Sequence, residues 1–276
     1  MTVPYFYKNN DSRFLSIEGE ESVTFLQNLI TNDINNCGND NFLYSCLLTP
    51  QGKFICDFFI FMKDEKYFIE THTLFYEKLL NKLNLYKLRS KILINEVNGL
   101  YSYNVFGDLL RDNETIILNN DPRNRNIGNK LIHISANPSL LNNYNSINEK
   151  QYHEILIQNT VPLSHYDLEE NKSLLLENNF ENLNSISWEK GCYIGQEITA
   201  RMKYRALLKK RIYSLKIING SASINKSVYE KENNYGKIIS IENNYILAML
   251  RIELAEKKII NKQQIKTDEG LVLEFI

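Results

Sequence analysis

Residues 42–62 read FLYSCLLTPQGKFICDFFIFM, two β-rich runs on either side of Thr49-Pro50-Gln51-Gly52. Proline suits the second position of a type I turn and glycine its fourth, so the segment predicts a tight hairpin. That hairpin commits the first half of the chain to sheet, and helix patterns border it. Val23, Leu26, Leu29 and Ile30 predict the apolar stripe of a helix over Gly19–Ile30, with Glu20 and Glu21 in its first turn, where the dipole favours acids. Phe75, Leu79, Leu83 and Tyr86 predict a second helix over 73–86, and 150–159 reads as a third. Lys91–Val97 returns to strand, 101–118 and 130–135 read as mixed strand and helix pieces, and Asn137–Lys150 as polar loop. From Arg211 the texture changes to short runs (RIYSLKI, SVYEK, YGKIISI, YILAMLR, QIKT, LVLEFI) separated by turn-like NGS, ENN and DEG. Such spacing predicts a small all-β barrel or sandwich closing the chain. The earlier part mixes strands and helices without a βαβ rhythm, so the expected class is α+β.

At 276 residues the chain is long enough for one large domain or two to three sub-domains. Lys plus Arg number 32 against 33 Asp plus Glu, which argues against a broadly cationic nucleic-acid coat but not against a local basic patch. No stretch approaches the roughly 20 apolar residues of a membrane helix. The opening MTVPYFYKNNDSRF has neither a secretory nor a transit pattern, so the expected location is cytoplasmic, with no membrane partner. Cys37, Cys46, Cys56 and Cys192 do not form a CxxC pair, and His72, His133, His153 and His165 lack metal-ligand spacing. The sequence offers no metal site of its own.

The most unusual segment is Lys190-Gly191-Cys192-Tyr193-Ile194-Gly195-Gln196-Glu197, followed by Ile198-Thr199-Ala200-Arg201. Two glycines allow close backbone approach or positive φ, and cations near a thiol favour the thiolate. Cys192 is therefore the candidate reactive thiol, with Lys190 as its activating cation. The competing reading is a tight turn into a helix with Cys192 buried as a small hydrophobe. Arg201, Lys203, Arg205, Lys209, Lys210 and Arg211 form a basic stretch without an acid. It suits a polyanion such as RNA, or equally a solvated linker. The hairpin positions Asp57 to present a carboxylate at a pocket mouth, unless the hairpin is purely structural.

The motif KGCYIGQE resembles the signature of the YgfZ-type folate-binding proteins, relatives of the glycine-cleavage T-protein (aminomethyltransferase). Further matches run along almost the whole chain: Ser12-Arg13, IEGEESVTFLQNLITNDI, LLTPQGKFICD, LYKLRSK, Asp121 with Arg123, Val161-Pro162, Glu177 with Asn179, and ARMKYRALLKKR. The resemblance implies a ring of two intertwined α+β portions over 1–205 and a C-terminal β-barrel over 206–276, around a folate pocket. It implies a tetrahydrofolate-linked role in the maturation or repair of iron–sulfur client enzymes, including those that thiolate tRNA, as an accessory factor more than an enzyme. Glu177 and Asn179 would orient the pterin, since a carboxylate pairs well with an amino-pyrimidinone edge. Lys190, Arg201 and Arg205 would attract the glutamate tail. Gly191, Tyr193 (stacking, or filling core), Gln196 and Asp57 complete the implied ligand-facing set. Residues 201–211 are a possible tRNA contact.

Departures from the family pattern bear on ligand preference. Leu156 stands where relatives often carry Arg, Thr160 where Gly precedes Val-Pro, Leu175 where Pro precedes the glutamate motif, and Ala206 where Gly is common. In the transferase relatives the hairpin carries two adjacent acids; here the pair is Cys56-Asp57. That weighs against the alternative reading, a tetrahydrofolate-dependent aminomethyl- or methyltransferase.

Overall fold

Sixteen strands form three sheets in the computed structural model, which describes residues 3–205 and 207–276. The chain starts in one sheet with β1 (Tyr5–Asn9) and crosses at once into another with β2 (Ser12–Glu18). The second sheet is completed by β3 (Leu43–Leu48), β4 (Phe54–Lys63), β5 (Lys66–His72) and β6 (Leu93–Val97), in the antiparallel order β3-β4-β5-β2-β6. The chain then returns to the first with β7 (Tyr101–Phe106), β8 (Thr115–Asn120), β9 (Asn129–His133) and β10 (Asn145–Ser146), ordered β10-β1-β7-β9-β8. The two sheets are therefore interleaved in sequence and face one another.

Three helices cover this body: α1 (Ser22–Leu29), α2 (Thr73–Lys87) and α3 (Glu149–Gln158). α1 is shorter than its pattern predicts and is rotated, since Val23 is exposed while Ser22, Phe25, Leu26 and Leu29 are buried. Counting back four residues from Leu26 and Leu29 reaches Ser22 and Phe25, which make up the buried face with them. The expected helix pieces within 101–118 and 130–135 are absent: strands β7, β8 and β9 pair there. Alternation in Tyr101-Ser102-Tyr103-Asn104-Val105 is the period-2 signal that outweighs local polarity. Two short helices follow, α4 (Ser164–Asp167) and α5 (Gln196–Tyr204).

The chain ends in a nearly closed, six-stranded barrel-like sheet of β11 (Lys210–Asn219), β12 (Ser227–Glu230), β13 (Asn233–Glu242), β14 (Tyr245–Arg251), β15 (Ile265–Lys266) and β16 (Val272–Phe275). Leu215, Val228, Ile238, Ile246, Leu250 and Leu273 fill it. One helix, α6 (Ile252–Ile260), interrupts the strands where the sequence reading has none, and its Ala255 closes that core. α3 lies against β13 and β14, so the same helix touches the body and the barrel.

Two of the departures have a structural footing. Thr160 holds φ at 55°, a left-handed conformation that glycine adopts without cost and a β-branched residue does not. Leu175 sits at φ −58°, close to the angle a proline ring would impose, and its side chain is buried. Ala206 lies outside the described residues.

The hairpin tip docks on the KGCYIGQE loop. Gly52 donates its amide to Thr49 O at 2.8 Å, closing the turn. Gly195 holds φ at 83°, and a Cβ there would lie 2.5 Å from Thr49 O and 3.1 Å from Gly52 Cα. The two motifs meet backbone to backbone. Gly195→Ala is expected to destabilise the protein by about 2–4 kcal/mol, combining left-handed strain with overpacking. Urea unfolding measures it, and a loss below about 0.5 kcal/mol would mean that the contact relaxes freely.

Candidate functional site

Where the two body sheets face each other, their inward side chains line a cavity of about 120 Å³. Strand periodicity sets the lining: Tyr7 and Asn9 from β1, Asp57 and Phe59 from β4, Glu70 and His72 from β5, with Asn104 and Lys130 opposite. Tyr152 and Leu156 of α3, and Leu163, Ser164 and His165, close the remaining side. Leu156 is fully buried and makes that wall apolar.

Lys130 reaches from one sheet to the other, its Nζ 2.9 Å from Glu70 Oε2, and also donates to Ser102 Oγ at 3.1 Å. Ser12 Oγ donates to Glu70 Oε1 at 2.7 Å, and the ammonium stands 4.1 Å from the Phe59 ring centroid. Beside it, Arg123 grips both oxygens of Asp121 at 3.0 and 2.8 Å and donates to the Tyr152 hydroxyl at 3.2 Å. Asn104 Nδ2 donates to Asp121 as well, at 3.0 Å. Burial alone would raise the Asp121 pKa, but the Arg123 guanidinium holds it below the usual carboxylate value.

Asp57 is a buried cavity carboxyl without an ion-pair partner among the described residues. Tyr44 Oη donates to its Oδ2 at 2.5 Å and Ser164 Oγ to the same oxygen at 2.8 Å. Burial pushes its pKa up, against the pull of those two bonds and of Arg123. On one wall the Tyr7 and Tyr152 rings stack at 4.3 Å, 13° from parallel. The His72 and His165 rings stack at 3.8 Å and 10°. His72 Nδ1 accepts the Leu74 amide, capping α2, so that nitrogen carries no proton. Burial lowers both imidazoles, His165 to about 4 with His72 adding to the shift, and the pair is uncharged at neutral pH. The cavity thus combines aromatic faces, a buried carboxyl without an ion-pair partner, and cations already paired. It suits a flat, polar-edged heterocycle.

The residues singled out in the sequence divide sharply. Asp57 lines the cavity; Glu177, Asn179, Lys190, Gly191, Cys192, Tyr193, Gln196, Arg201 and Arg205 do not. Glu177 lies 3.3 Å from Lys210 Nζ, tying the body to β11. Asn179 is a left-handed turn residue that donates to Thr160 O at 2.9 Å. Lys190 turns its Nζ inward, donating to Ile30 O and Asn32 O at 2.8 Å each. Burial lowers its pKa to about 8. Tyr193 fills core and its buried hydroxyl has no partner among the described residues. Gly191 and Cys192 are exposed, against the reading of a buried thiol, while Gln196 opens α5 as the turn-to-helix reading expects.

Most of the basic stretch is neutralised. Arg201 pairs with Glu197, Lys203 with Glu181 at 2.6 Å, and Arg211 with Glu256 at 3.2 Å; Arg205 is exposed at the end of α5. Sequence reasoning missed Tyr7, Tyr152, Lys130 with Glu70, and the histidine stack, which lie on distant segments. The one available signal was Asp121 two residues before Arg123.

No protein-family model matches the sequence. Iron–sulfur cluster assembly factors named IBA57 are similar to it: 28% identity with the mitochondrial homologue of Neurospora crassa, over 74% of this chain and 52% of that protein. The mitochondrial mouse protein is 26% identical over 73% of this chain and 63% of its own length, and the human one 25% over 74% and 64%. The chain spans between half and two-thirds of these relatives. Among solved structures, the glycine cleavage system aminomethyltransferase T of Bartonella henselae superposes with a TM-score of 0.74 at 11% identity, covering 99% of this chain and 84% of that one. The fold is the aminomethyltransferase fold. The expected cytoplasmic location is corrected by these relatives, which are all named as mitochondrial. No helix among the described residues is long and apolar enough to cross a membrane.

Asp121→Ala would leave the Arg123 guanidinium buried without its counter-charge. The expected loss is about 3–5 kcal/mol in chemical unfolding; a loss under about 1 kcal/mol would mean that Arg123 finds another partner.

Proposed function

We propose that this chain is an iron–sulfur cluster assembly factor of the YgfZ and IBA57 kind, holding a tetrahydrofolate in the cavity between its body sheets. The observation that carries the ligand is Asp57, a carboxyl without an ion-pair partner among the described residues, inside an aromatic-lined cavity of an aminomethyltransferase fold. The assembly role rests on the similarity to IBA57 proteins over about three-quarters of the chain. Asp57 takes over the role the sequence reading gives to Glu177: both side-chain donors fall on Oδ2, and a pterin amino-pyrimidinone edge meets the carboxyl from the cavity. The Tyr7–Tyr152 stack and the Phe59 ring offer the faces for a planar ring. Client enzymes, including tRNA-thiolating ones, belong to the same proposal. Direct tRNA contact through 201–211 is less favoured, because carboxylates already engage four of its six cations.

The second reading is a folate-dependent aminomethyltransferase, which the fold favours. Against it stands Cys56 at the position of the hairpin's other acid, fully buried, with its thiol pKa pushed up by burial. Calorimetry with tetrahydrofolate tests the ligand. Asp57→Asn is expected to weaken binding by about 1–3 kcal/mol, as for a lost charged hydrogen bond. Unchanged affinity in a folded variant would remove Asp57 from the site.

Cys192 is the exposed thiol of the signature loop, available to an iron–sulfur partner or a one-carbon unit. Cys192→Ser should leave thermal stability and folate affinity unchanged while failing to restore iron–sulfur enzyme activity in a deletion strain. Full complementation would make the thiol dispensable.

A further inference from the structure

The cavity's cations are fully engaged, whereas two acids at its mouth are not. Among the described lining residues the only cations are Arg123, committed to Asp121, and Lys130, committed to Glu70. Asp11 and Glu149 also line it, and both line a second, adjoining groove of about 610 Å³ that shares Tyr7 with the cavity. They therefore stand at the threshold between the two spaces. Both are exposed, and neither belongs to an ion pair among the described residues. Their fields reach inward, since both raise the pKa of the Tyr7 phenol, after burial, to about 12. The groove beyond has one lysine in its lining, Lys8, whose Nζ donates to Ala136 O at 2.7 Å and lies 5.4 Å from the Tyr101 ring centroid.

A folate carries its charge in the tail: each added glutamate brings another carboxylate. A tail leaving the cavity past Tyr7 passes two carboxylates that have no ion-pair partner among the described residues before it reaches Lys8, whose ammonium is hydrogen-bonded to Ala136 O. From this we infer that Asp11 and Glu149 form an anionic threshold that makes the cavity selective for short-tailed, monoglutamyl folates over polyglutamyl ones. This rests on the folate reading above and sharpens it into a tail-length specificity. It also reverses the expectation from the sequence, in which Lys190, Arg201 and Arg205 favour a long tail; none of the three lines the cavity or the groove.

The test is calorimetric titration of the intact chain with tetrahydrofolate monoglutamate and pentaglutamate, at low and high salt, and of the Asp11→Asn/Glu149→Gln double variant. In the native protein the pentaglutamate should bind about threefold to tenfold more weakly at low salt, from two charges acting through water at roughly Debye-length separation. The penalty should shrink at high salt and fall to within about twofold in the double variant, while monoglutamate affinity barely changes. Equal or tighter pentaglutamate binding by the native protein overturns the threshold and leaves the folate reading standing. So does a penalty that survives in the double variant. Absence of binding by either ligand overturns the folate reading and the threshold with it. Should the double variant misfold, the salt series on the native protein still decides.

Discussion

The Lys130–Glu70 pair is the contact on which the shape of the site depends. Each partner belongs to a different sheet, and the two carbon stems and the Phe59 ring separate the charges from water. Taking both ions out of water costs several kcal/mol each before their attraction is counted, so an apolar pair of equal volume would hold the sheets at least as firmly. What the ions add is position. Ser12 and Lys130 converge on Glu70, and Lys130 reaches Ser102 as well, which fixes the register of the two sheets across the cavity. Arg123 and Asp121 do the same for the adjacent wall, with Asn104 and Tyr152 as further anchors.

The KGCYIGQE loop and the cavity are separate devices. Gln27, Thr31, Asn32 and Lys190 are tied to one another and to nearby backbone. Gln27 bonds to Asp33, Thr31 donates to Ser185 O at 2.7 Å, and Asn32 donates to Asn184 O at 2.7 Å. Lys190 closes the set on the carbonyls of Ile30 and Asn32. These residues build the platform under the KGCYIGQE loop rather than a ligand site. A polar motif is thus as readily a solution to buried backbone as a mark of chemistry.

This division explains what was legible in the sequence. The hairpin, the helices at 73–87 and 149–158, and the β-rich ending carry strong local signals, and they are where the structure places them. Strands β1 and β2 went unread because YFYKN and SRFLSIE are short and border Asn-rich, loop-like sequence. Of the residues singled out in the sequence, Asp57, placed after the hairpin turn, is the one that lines the cavity. Tyr7, Glu70, Lys130 and Tyr152 meet across sequence separations that no spacing rule reaches, and each alone reads as an ordinary strand or helix residue. Glu177 and Lys190 are the opposite case: their charge suggests a ligand, and in the fold Lys210 and two carbonyls engage it.

The meeting of Gly52 and Gly195 has a consequence for encounters with other proteins. Held on one side by the hairpin tip and on the other by the bond from Ile194 N to Asn28 O, the loop bearing Cys192 is anchored to two neighbouring elements. Its thiol is exposed, yet it stands on a braced support rather than at the end of a free chain. A partner arriving there has little conformational entropy to remove, so even a small contact area can give a useful lifetime to the complex.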